Sequence, residues 1–167
     1  MTSFDHDAPP IVRPRSGDRP SQLVVLLHGY GADGNDLIGL SESWAPMLPD
    51  AAFVALHAPE PCSGAPMGRQ WFPLTSFDPH DLSRHIGEAA PALDQRLTAL
   101  LSDLAVDPRR HSLFGFSQGA MMALATGLAR DVKPACILGY SGAFRPPHGL
   151  AKPIAGAPAR DACTWRP

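Results

Sequence analysis

The sequence lacks the features that mark disulfide-rich, metal-binding and membrane proteins. Only three of its 167 residues are cysteines, Cys62, Cys136 and Cys163, and none of their spacings is that of a zinc site or a redox motif. We therefore expect reduced thiols, a cytoplasmic location and no bound metal. The N-terminus has no apolar segment of the kind found in signal peptides, and no apolar run is long enough to span a membrane.

The chain also lacks a dominant charge. It carries 14 basic and 16 acidic residues, for a net charge of -2, so we expect neither a nucleic acid nor an anionic membrane surface as partner. Hydrophobic residues make up 44% of the sequence, as in globular proteins, and the length suffices for one domain with its own core. In contrast, 19 prolines and 15 glycines are many, and they predict numerous loops.

Apolar segments alternate along the chain with amphipathic ones. Four continuous apolar runs predict strands that are buried on both faces, as in a parallel sheet: 22–29, 51–60, 109–117 and 133–142. Segments of helical periodicity lie between them, so we predict an α/β fold with a mostly parallel sheet and helices on both faces. The core is expected to comprise residues 22–145, preceded by a polar tail or edge hairpin (1–21) and followed by an irregular tail (146–167).

Three connecting segments carry further expectations. Asn35 or Asp36 is expected to cap a short helix. Residues 61–80, rich in proline, glycine and aromatic side chains, are expected to form a long loop that is either functional or disordered. Apolar residues then recur at spacings of three and four from residue 86 to residue 104, which predicts an amphipathic helix that is kinked or restarted at Pro91.

A serine lies between two glycines in "LFGFSQGA", which matches the pattern G-x-S-x-G. A predicted strand precedes this serine, Ser117, and a helix of small residues follows it. In that context a strained strand-to-helix turn presents a nucleophile, and glycines two positions away on either side avoid steric collision with the neighbouring elements. We interpret Ser117 as a nucleophile, with an ordinary turn between strand and helix as the alternative.

A tetrahedral intermediate at Ser117 would need an oxyanion hole, and the sequence offers two backbone donors. The N–H group of Gln118 directly follows the serine. The glycine-rich loop "HGYGADGND" ends the first predicted strand, and we expect the N–H group of Tyr30 to be the second donor. His28 either orders this loop or acts as a base, and the first interpretation is favoured.

Two other segments contain side chains that are capable of chemistry. Ser141, in "GYSGA", has its glycines at different positions and is interpreted as a strand end near the site rather than as a second nucleophile. The segment "FDPHDLSRH" brings His80 and His85 close to Asp78 and Asp81 along the chain. A solvated helix start is the favoured interpretation there, and a metal site is the alternative.

The motifs "LLHGYGADGNDL", "APE", "WFPL", "GFSQGA" and "YSG" occur in this order. Together they resemble the phospholipase/carboxylesterase family of α/β-hydrolases, which includes bacterial carboxylesterases and acyl-protein thioesterases, over roughly residues 22–145. The resemblance implies an α/β-hydrolase fold and cofactor-free hydrolysis of a small carboxylic ester or thioester. Ser117 would be the nucleophile, Tyr30 and Gln118 would form the oxyanion hole, and Trp71 and Phe72 would lie in the loop that walls the substrate pocket.

The family's triad continues with an aspartate and then a histidine, and the sequence departs from that pattern after Ser141. Asp131 and Asp161 are the only acidic residues after Ser117, and His148 is the only histidine. None of the three stands in the family's motifs. We therefore expect that the chain lacks the last strands and helices of the fold and that it is weakly active or inactive.

Two alternatives to an ester hydrolase stay open. Without the triad aspartate and histidine, the chain would be a non-catalytic remnant or a binding module. A dienelactone-hydrolase-like enzyme is the second alternative, disfavoured because that chemistry uses a cysteine where this chain has Ser117. If no further strand follows 133–142, the sheet ends in an apolar edge, and a homo-oligomer that pairs through this edge is expected.

Overall fold

The computed structural model describes residues 8–143. Its strands are β1 (Ile11–Val12), β2 (Gln22–Leu27), β3 (Ala51–Leu56), β4 (Glu60–Cys62), β5 (Ala65–Gln70), β6 (His111–Phe116) and β7 (Cys136–Tyr140). Its helices are α1 (Asn35–Ile38), α2 (Leu40–Trp44), α3 (Pro79–Asp103) and α4 (Gln118–Ala129), and a 3-10 turn covers Pro108–Arg110. Each of the four predicted strand segments contains one strand of the main sheet.

The main sheet has the strand order β1-β3-β2-β6-β7. Strands β3, β2, β6 and β7 run parallel to one another, and β1 pairs antiparallel with β3 at one edge. At the other edge, β7 pairs with β6 and with no second strand among residues 8–143. The predicted α/β fold with a mostly parallel sheet is confirmed.

Helices cover both faces of the sheet, because successive side chains of each central strand point to opposite sides. On one face, Leu23 and Val25 of β2 belong to a core cluster with buried side chains of α3 and α4. On the other face, Val24 and Leu26 pack with Trp44 of α2 and with residues of α1. Burial on both faces explains why β2 is a continuous apolar run rather than an alternating one.

Helix α3 continues through Pro91 without interruption, so of the two predicted alternatives the restart is wrong and the kink stays a prediction. A proline inside a helix costs about 3 kcal/mol, because it removes a hydrogen bond and crowds the preceding turn. Burial of Leu82 and Ile86 before the proline, and of Leu93 and Leu97 after it, holds both halves of the helix on the sheet and offsets that cost.

The segment 61–80 is not a loop throughout, which corrects the prediction. Strands β4 and β5 form an antiparallel hairpin, with a register shift between Pro61 and Cys62. Prolines and glycines weaken the strand signal of this segment, since they are rare inside strands. The hairpin persists because its strands pair with each other and because β5 also pairs with the loop after β2, through Arg69 and Ala32.

The first helix begins at Asn35 after Gly34, and neither Asn35 nor Asp36 is its N-cap. Asp33 is the residue that reaches forward, and its carboxylate accepts the N–H of Asn35 at 2.7 Å. The carboxylate of Asp36 accepts the N–H of Asp33 at 3.1 Å. The two carboxylates thus satisfy backbone donors reciprocally, and the capping side chain, Asp33, lies two positions before the first of the expected caps, Asn35.

The expectations on the C-terminal tail, on membrane spans and on metal sites are compared here with residues 8–143. The predicted tail from residue 146, with His148 and Asp161, lies outside residues 8–143. Within that range, no helix is long and apolar enough to cross a membrane. The same residues contain no group of three or more His, Cys, Asp or Glu side chains that could hold a metal ion.

Candidate active site

Ser117 lies at the junction of β6 and α4 with a backbone that non-glycine residues rarely adopt. Its φ is 51° and its ψ is -114°. The surrounding hydrogen bonds hold this conformation: the N–H of Ser117 donates to the C=O of Tyr140 at 2.9 Å, and its own C=O accepts from Ala120 at 3.0 Å. Such strain persists only where the neighbouring structure fixes it, and it is concentrated at functional sites.

The two glycines around Ser117 lie against backbone atoms with no space for a side chain. A Cβ at Gly115 would lie 2.2 Å from the oxygen of Gly119, and a Cβ at Gly119 would lie 2.0 Å from the oxygen of Leu27. Helix α4 therefore packs directly on the ends of β2 and β6. This close approach is the one that the glycine spacing predicts.

The loop that follows β2 lies directly against Ser117. A Cβ at Gly29 would be 3.4 Å from the Cβ of Ser117, so Tyr30, the next residue, is brought beside the elbow. No backbone carbonyl among residues 8–143 accepts the N–H of Tyr30 or of Gln118. The structure thus brings Ser117 together with the two backbone segments that the sequence suggested.

The side chain of Gln118 is buried and binds the backbone of a remote segment. Its Oε1 accepts the N–H of Trp71 at 2.9 Å, and its Nε2 donates to the C=O of Phe72 at 2.8 Å. Sequence reasoning assigned a role only to the backbone of Gln118 and missed this bond pair. No sequence pattern predicts these two bonds, because a single glutamine does not indicate which remote backbone groups it contacts.

Trp71 and Phe72 are themselves buried, with 3% and 2% of their surfaces exposed. The indole N–H of Trp71 donates to the C=O of His28 at 2.8 Å, and the two rings lie 5.4 Å apart. Phe72 stacks on His85 with the ring centres 6.3 Å apart. These aromatic residues are therefore anchored between the end of β2 and the start of α3.

A cavity of about 240 Å³ lies between the Trp71–Phe72 segment and α3. Arg96 contributes to its wall and donates from Nη1 to the C=O of His57 at 2.6 Å. Burial, and then the positive charge of Arg69, lower the pKa of Arg96. Ser117 does not line this cavity. The Trp71–Phe72 segment does line it, and hydrogen bonds to Gln118 connect that segment to the elbow.

His28 is fully buried and both of its ring nitrogens are engaged. Its Nε2 accepts the N–H of Ala58 at 3.0 Å, so the proton of the neutral ring is on Nδ1, which donates to the C=O of Gly29 at 2.7 Å. Burial is the main cause that lowers the pKa of His28. These bonds join the ends of β2 and β3 and favour a role in ordering the loop over a role as base.

The segment "FDPHDLSRH", for which a metal site is the alternative interpretation, forms the start of α3. The carboxylate of Asp78 accepts the N–H groups of His80 and Asp81 at 2.8 and 3.3 Å. Asp81 in turn accepts the hydroxyl of Ser76 at 2.7 Å. The carboxylate of Asp78 thus caps the first turn of the helix and that of Asp81 binds the segment before it, in agreement with the interpretation as a solvated helix start.

Ser141 follows the end of β7 and has a positive φ of 57°. A Cβ at the next residue, Gly142, would lie 2.7 Å from the C=O oxygen of Ser117. The segment after β7 therefore packs on the elbow, as a strand end near the site should. Asp131 is exposed just beyond α4, and no hydrogen bond joins a histidine to Ser117 within residues 8–143.

A model of the phospholipase/carboxylesterase family matches residues 7–159. The chain belongs to the phospholipase/carboxylesterase family. The membership implied by the motifs is therefore confirmed.

Two curated relatives illustrate the range of the phospholipase/carboxylesterase family. Esterase YpfH of Escherichia coli (strain K12) is 31% identical over 132 residues, which cover 78% of this chain and 56% of that protein. Acyl-protein thioesterase 1 of Gibberella zeae is 29% identical over 143 residues, which cover 79% of this chain and 60% of that protein. The chain thus spans less than two thirds of the length of either relative.

Solved structures confirm the α/β-hydrolase fold. Esterase PE8 superposes with a TM-score of 0.78 at 41% identity, over 83% of this chain and 65% of that one. A carboxylesterase from Mesorhizobium loti superposes with a TM-score of 0.66 at 21% identity, over 87% of this chain and 66% of that one. At that identity the second match shows the fold alone.

Proposed function

We propose that this chain carries the nucleophile and the oxyanion hole of a serine hydrolase acting on small or medium carboxylic esters or thioesters. Ser117 attacks the carbonyl carbon and the N–H groups of Tyr30 and Gln118 stabilise the oxyanion. The alcohol or thiol then leaves with the serine proton, and water hydrolyses the acyl-enzyme to the free acid and restores the serine hydroxyl. The observation that carries the proposal is the strained Ser117 with Gly29, and hence Tyr30, against it, at 3.4 Å between Cβ positions.

The Trp71–Phe72 segment serves in this proposal as the rigid wall of the substrate pocket. Gln118 fixes its backbone through two hydrogen bonds, so the wall and the elbow keep a constant relation. The reaction needs neither a metal nor a cofactor, and its partner is a small molecule rather than a nucleic acid. Cys62 and Cys136 are free thiols, which fits the cytoplasmic location that we propose.

A serine nucleophile needs a base, and His28 is committed to Ala58 and Gly29. We therefore propose that the 167-residue chain turns over esters only weakly. Loss of triad members in serine hydrolases lowers turnover by roughly 10⁴- to 10⁶-fold and leaves the contribution of the oxyanion hole and of binding. The competing candidate is a non-catalytic binding module with the same geometry, favoured by the same absence of a histidine bond to Ser117 among residues 8–143.

Covalent labelling separates the two candidates. The chain is incubated with a fluorophosphonate probe and, separately, with p-nitrophenyl butyrate, and the adduct is located by peptide mass spectrometry. We expect slow labelling and slow hydrolysis, both abolished by Ser117→Ala and retained by the control Ser141→Ala. Complete absence of labelling favours the binding module, and an adduct on another serine contradicts the site.

A further inference from the structure

The hairpin β4–β5 is bound to the loop that carries Tyr30. The N–H of Gly31 donates to the C=O of Arg69 at 3.0 Å, and the N–H of Arg69 donates to the C=O of Ala32 at 2.8 Å. These two bonds form an antiparallel bridge between Ala32 and Arg69. The N–H and C=O groups of Arg69 therefore both point to the loop. The loop is hydrogen-bonded to the hairpin at Gly31, the residue after Tyr30.

Gly68 lies so close to this loop that no side chain fits between them. A Cβ at Gly68 would be 2.1 Å from the carbonyl oxygen of Gly31 and 2.8 Å from its Cα. The hairpin also contacts the ring of Tyr30, since a Cβ at Gly64 would lie 3.2 Å from the hydroxyl oxygen. The hairpin therefore lies against both the Gly31 peptide that follows Tyr30 and the side chain of Tyr30.

The hairpin is itself held in place from the elbow. The residue that follows β5 is Trp71, whose N–H donates to the side chain of Gln118 at 2.9 Å. At the base of the hairpin, Nε2 of Gln70 donates to Glu60 at 3.0 Å. A continuous set of contacts therefore leads from the helix start next to Ser117, through β5, to the loop of Tyr30.

We propose that the β4–β5 hairpin positions the oxyanion loop relative to Ser117 and that Gly68 is the positioning residue through which it acts. The proposal rests on the proposed function, in which the N–H of Tyr30 binds the oxyanion. Oxyanion donors act at about 2.7–3.1 Å, and a displacement of about 1 Å costs on the order of 100-fold in rate. A methyl group at Gly68 would force a displacement of that size on the Gly31 peptide.

The test compares two identical substitutions. Gly68→Ala introduces the methyl group against Gly31, whereas Gly39→Ala introduces it where no atom lies within 4 Å. We measure hydrogen exchange of the Gly31 amide, thermal melting, and kcat and KM for p-nitrophenyl butyrate. Gly68→Ala is expected to speed exchange at Gly31 and to lower kcat on the order of 10- to 100-fold, with KM nearly unchanged. Gly39→Ala is expected to leave exchange at Gly31, kcat and KM unchanged and to raise the melting temperature slightly, because alanine has less conformational freedom than glycine in the unfolded chain.

A second pair of variants decides the matter if Gly68→Ala fails to fold. Arg69→Pro removes the N–H that donates to Ala32, while Arg69→Ala keeps that N–H and removes only the side chain. Because this N–H faces the loop rather than β4, the proline spares the pairing within the hairpin. Faster exchange at Gly31 and a lower kcat are expected for Arg69→Pro relative to Arg69→Ala.

The outcomes separate failure of the hairpin's positioning role from failure of the proposed function. Unchanged exchange at Gly31 in both test variants overturns the proposal, whatever the activity. Faster exchange with unchanged kcat also overturns it, because the loop would then be mobile without consequence for the reaction. Absence of Ser117-dependent turnover in the unsubstituted chain contradicts the proposed function instead, and the exchange comparison then decides alone whether the hairpin holds the loop.

Discussion

The side chain of Gln118 hydrogen-bonds to the backbone N–H of Trp71, 47 residues earlier in the chain, at 2.9 Å. The same side chain binds the C=O of Phe72 at 2.8 Å. Buried backbone groups outside regular structure need partners, and one glutamine supplies both. The elbow and the aromatic segment are therefore one rigid unit, although no strand pairing connects them.

Replacing Gln118 with alanine should destabilise the protein strongly. The N–H of Trp71 and the C=O of Phe72 would each lose their partner in a buried site, at about 1–3 kcal/mol for each group. We expect the free energy of unfolding in urea to fall by about 2–6 kcal/mol, the sum for the two groups. The control is Gln95→Ala on the exposed face of α3, which should stay within about 0.5 kcal/mol. Equal effects of the two substitutions would contradict the role of Gln118.

The sheet and the elbow could be predicted from the sequence because both leave a local pattern. Strands such as β2 are buried on both faces, so they are continuous apolar runs ended by glycine. The turn at Ser117 requires glycine at positions 115 and 119, since a Cβ at either would lie within 2.2 Å of a backbone oxygen. Steric requirements of this kind appear directly in the residue types.

The hairpin, the continuity of α3 and the bonds of Gln118 could not be predicted, because they depend on contacts between distant residues. β4 and β5 are held by backbone pairing, and Pro61, Pro66 and Gly68 mask the strand pattern. Pro91 is accepted because buried leucines on both sides of it hold the helix on the sheet. A side chain that binds remote backbone, as Gln118 does, has no periodicity to detect.

Glycine at position 117 should give a more stable protein than alanine at the same position. With φ at 51° and ψ at -114°, a side chain at this position is strained by about 1–3 kcal/mol. Glycine relieves the strain but loses about 0.5–1 kcal/mol through the entropy of the unfolded chain. We therefore expect Ser117→Gly to be about 1 kcal/mol more stable than Ser117→Ala in urea unfolding. A less stable glycine variant would show that the backbone at this turn is not strained.

Stability should fall in mild acid because of two buried histidines. Burial is the main cause that lowers the pKa values of His28 and His111 below 6.5. Between the unfolded pKa near 6.5 and the lower folded pKa, the unfolded chain binds more protons, so the free energy of unfolding decreases as pH falls. The full stabilisation is present above the unfolded pKa.

Each histidine contributes a slope of at most about 1.4 kcal/mol per pH unit in that window. Urea unfolding at a series of pH values measures the slope. Removing one of the two groups by His111→Gln should reduce the slope by about half. A slope that is identical in the substituted and unsubstituted chains would show that protonation of His111 does not oppose folding.

The outer edge of β7 should make the 167-residue chain self-associate. Within residues 8–143 this strand pairs with β6 alone, and the side chains of Leu138 and Tyr140 are 51% and 52% exposed. An exposed apolar edge offers unpaired backbone groups to a second chain, and natural sheets protect such edges with charges, especially lysine. We therefore propose that two or more copies of this chain pair through β7.

Sedimentation velocity over a range of protein concentrations tests this pairing. The unsubstituted chain is expected to shift to larger species as its concentration rises, and Leu138→Lys is expected to shift much less, because the charge would be buried against the second chain. Met67→Lys is the matched control: Met67 is 92% exposed on the hairpin, which forms a separate sheet from the one that contains β7, so the same charge there should leave association unchanged. If the unsubstituted chain stays monomeric at every concentration, or if both lysine variants dissociate it equally, pairing through β7 is wrong.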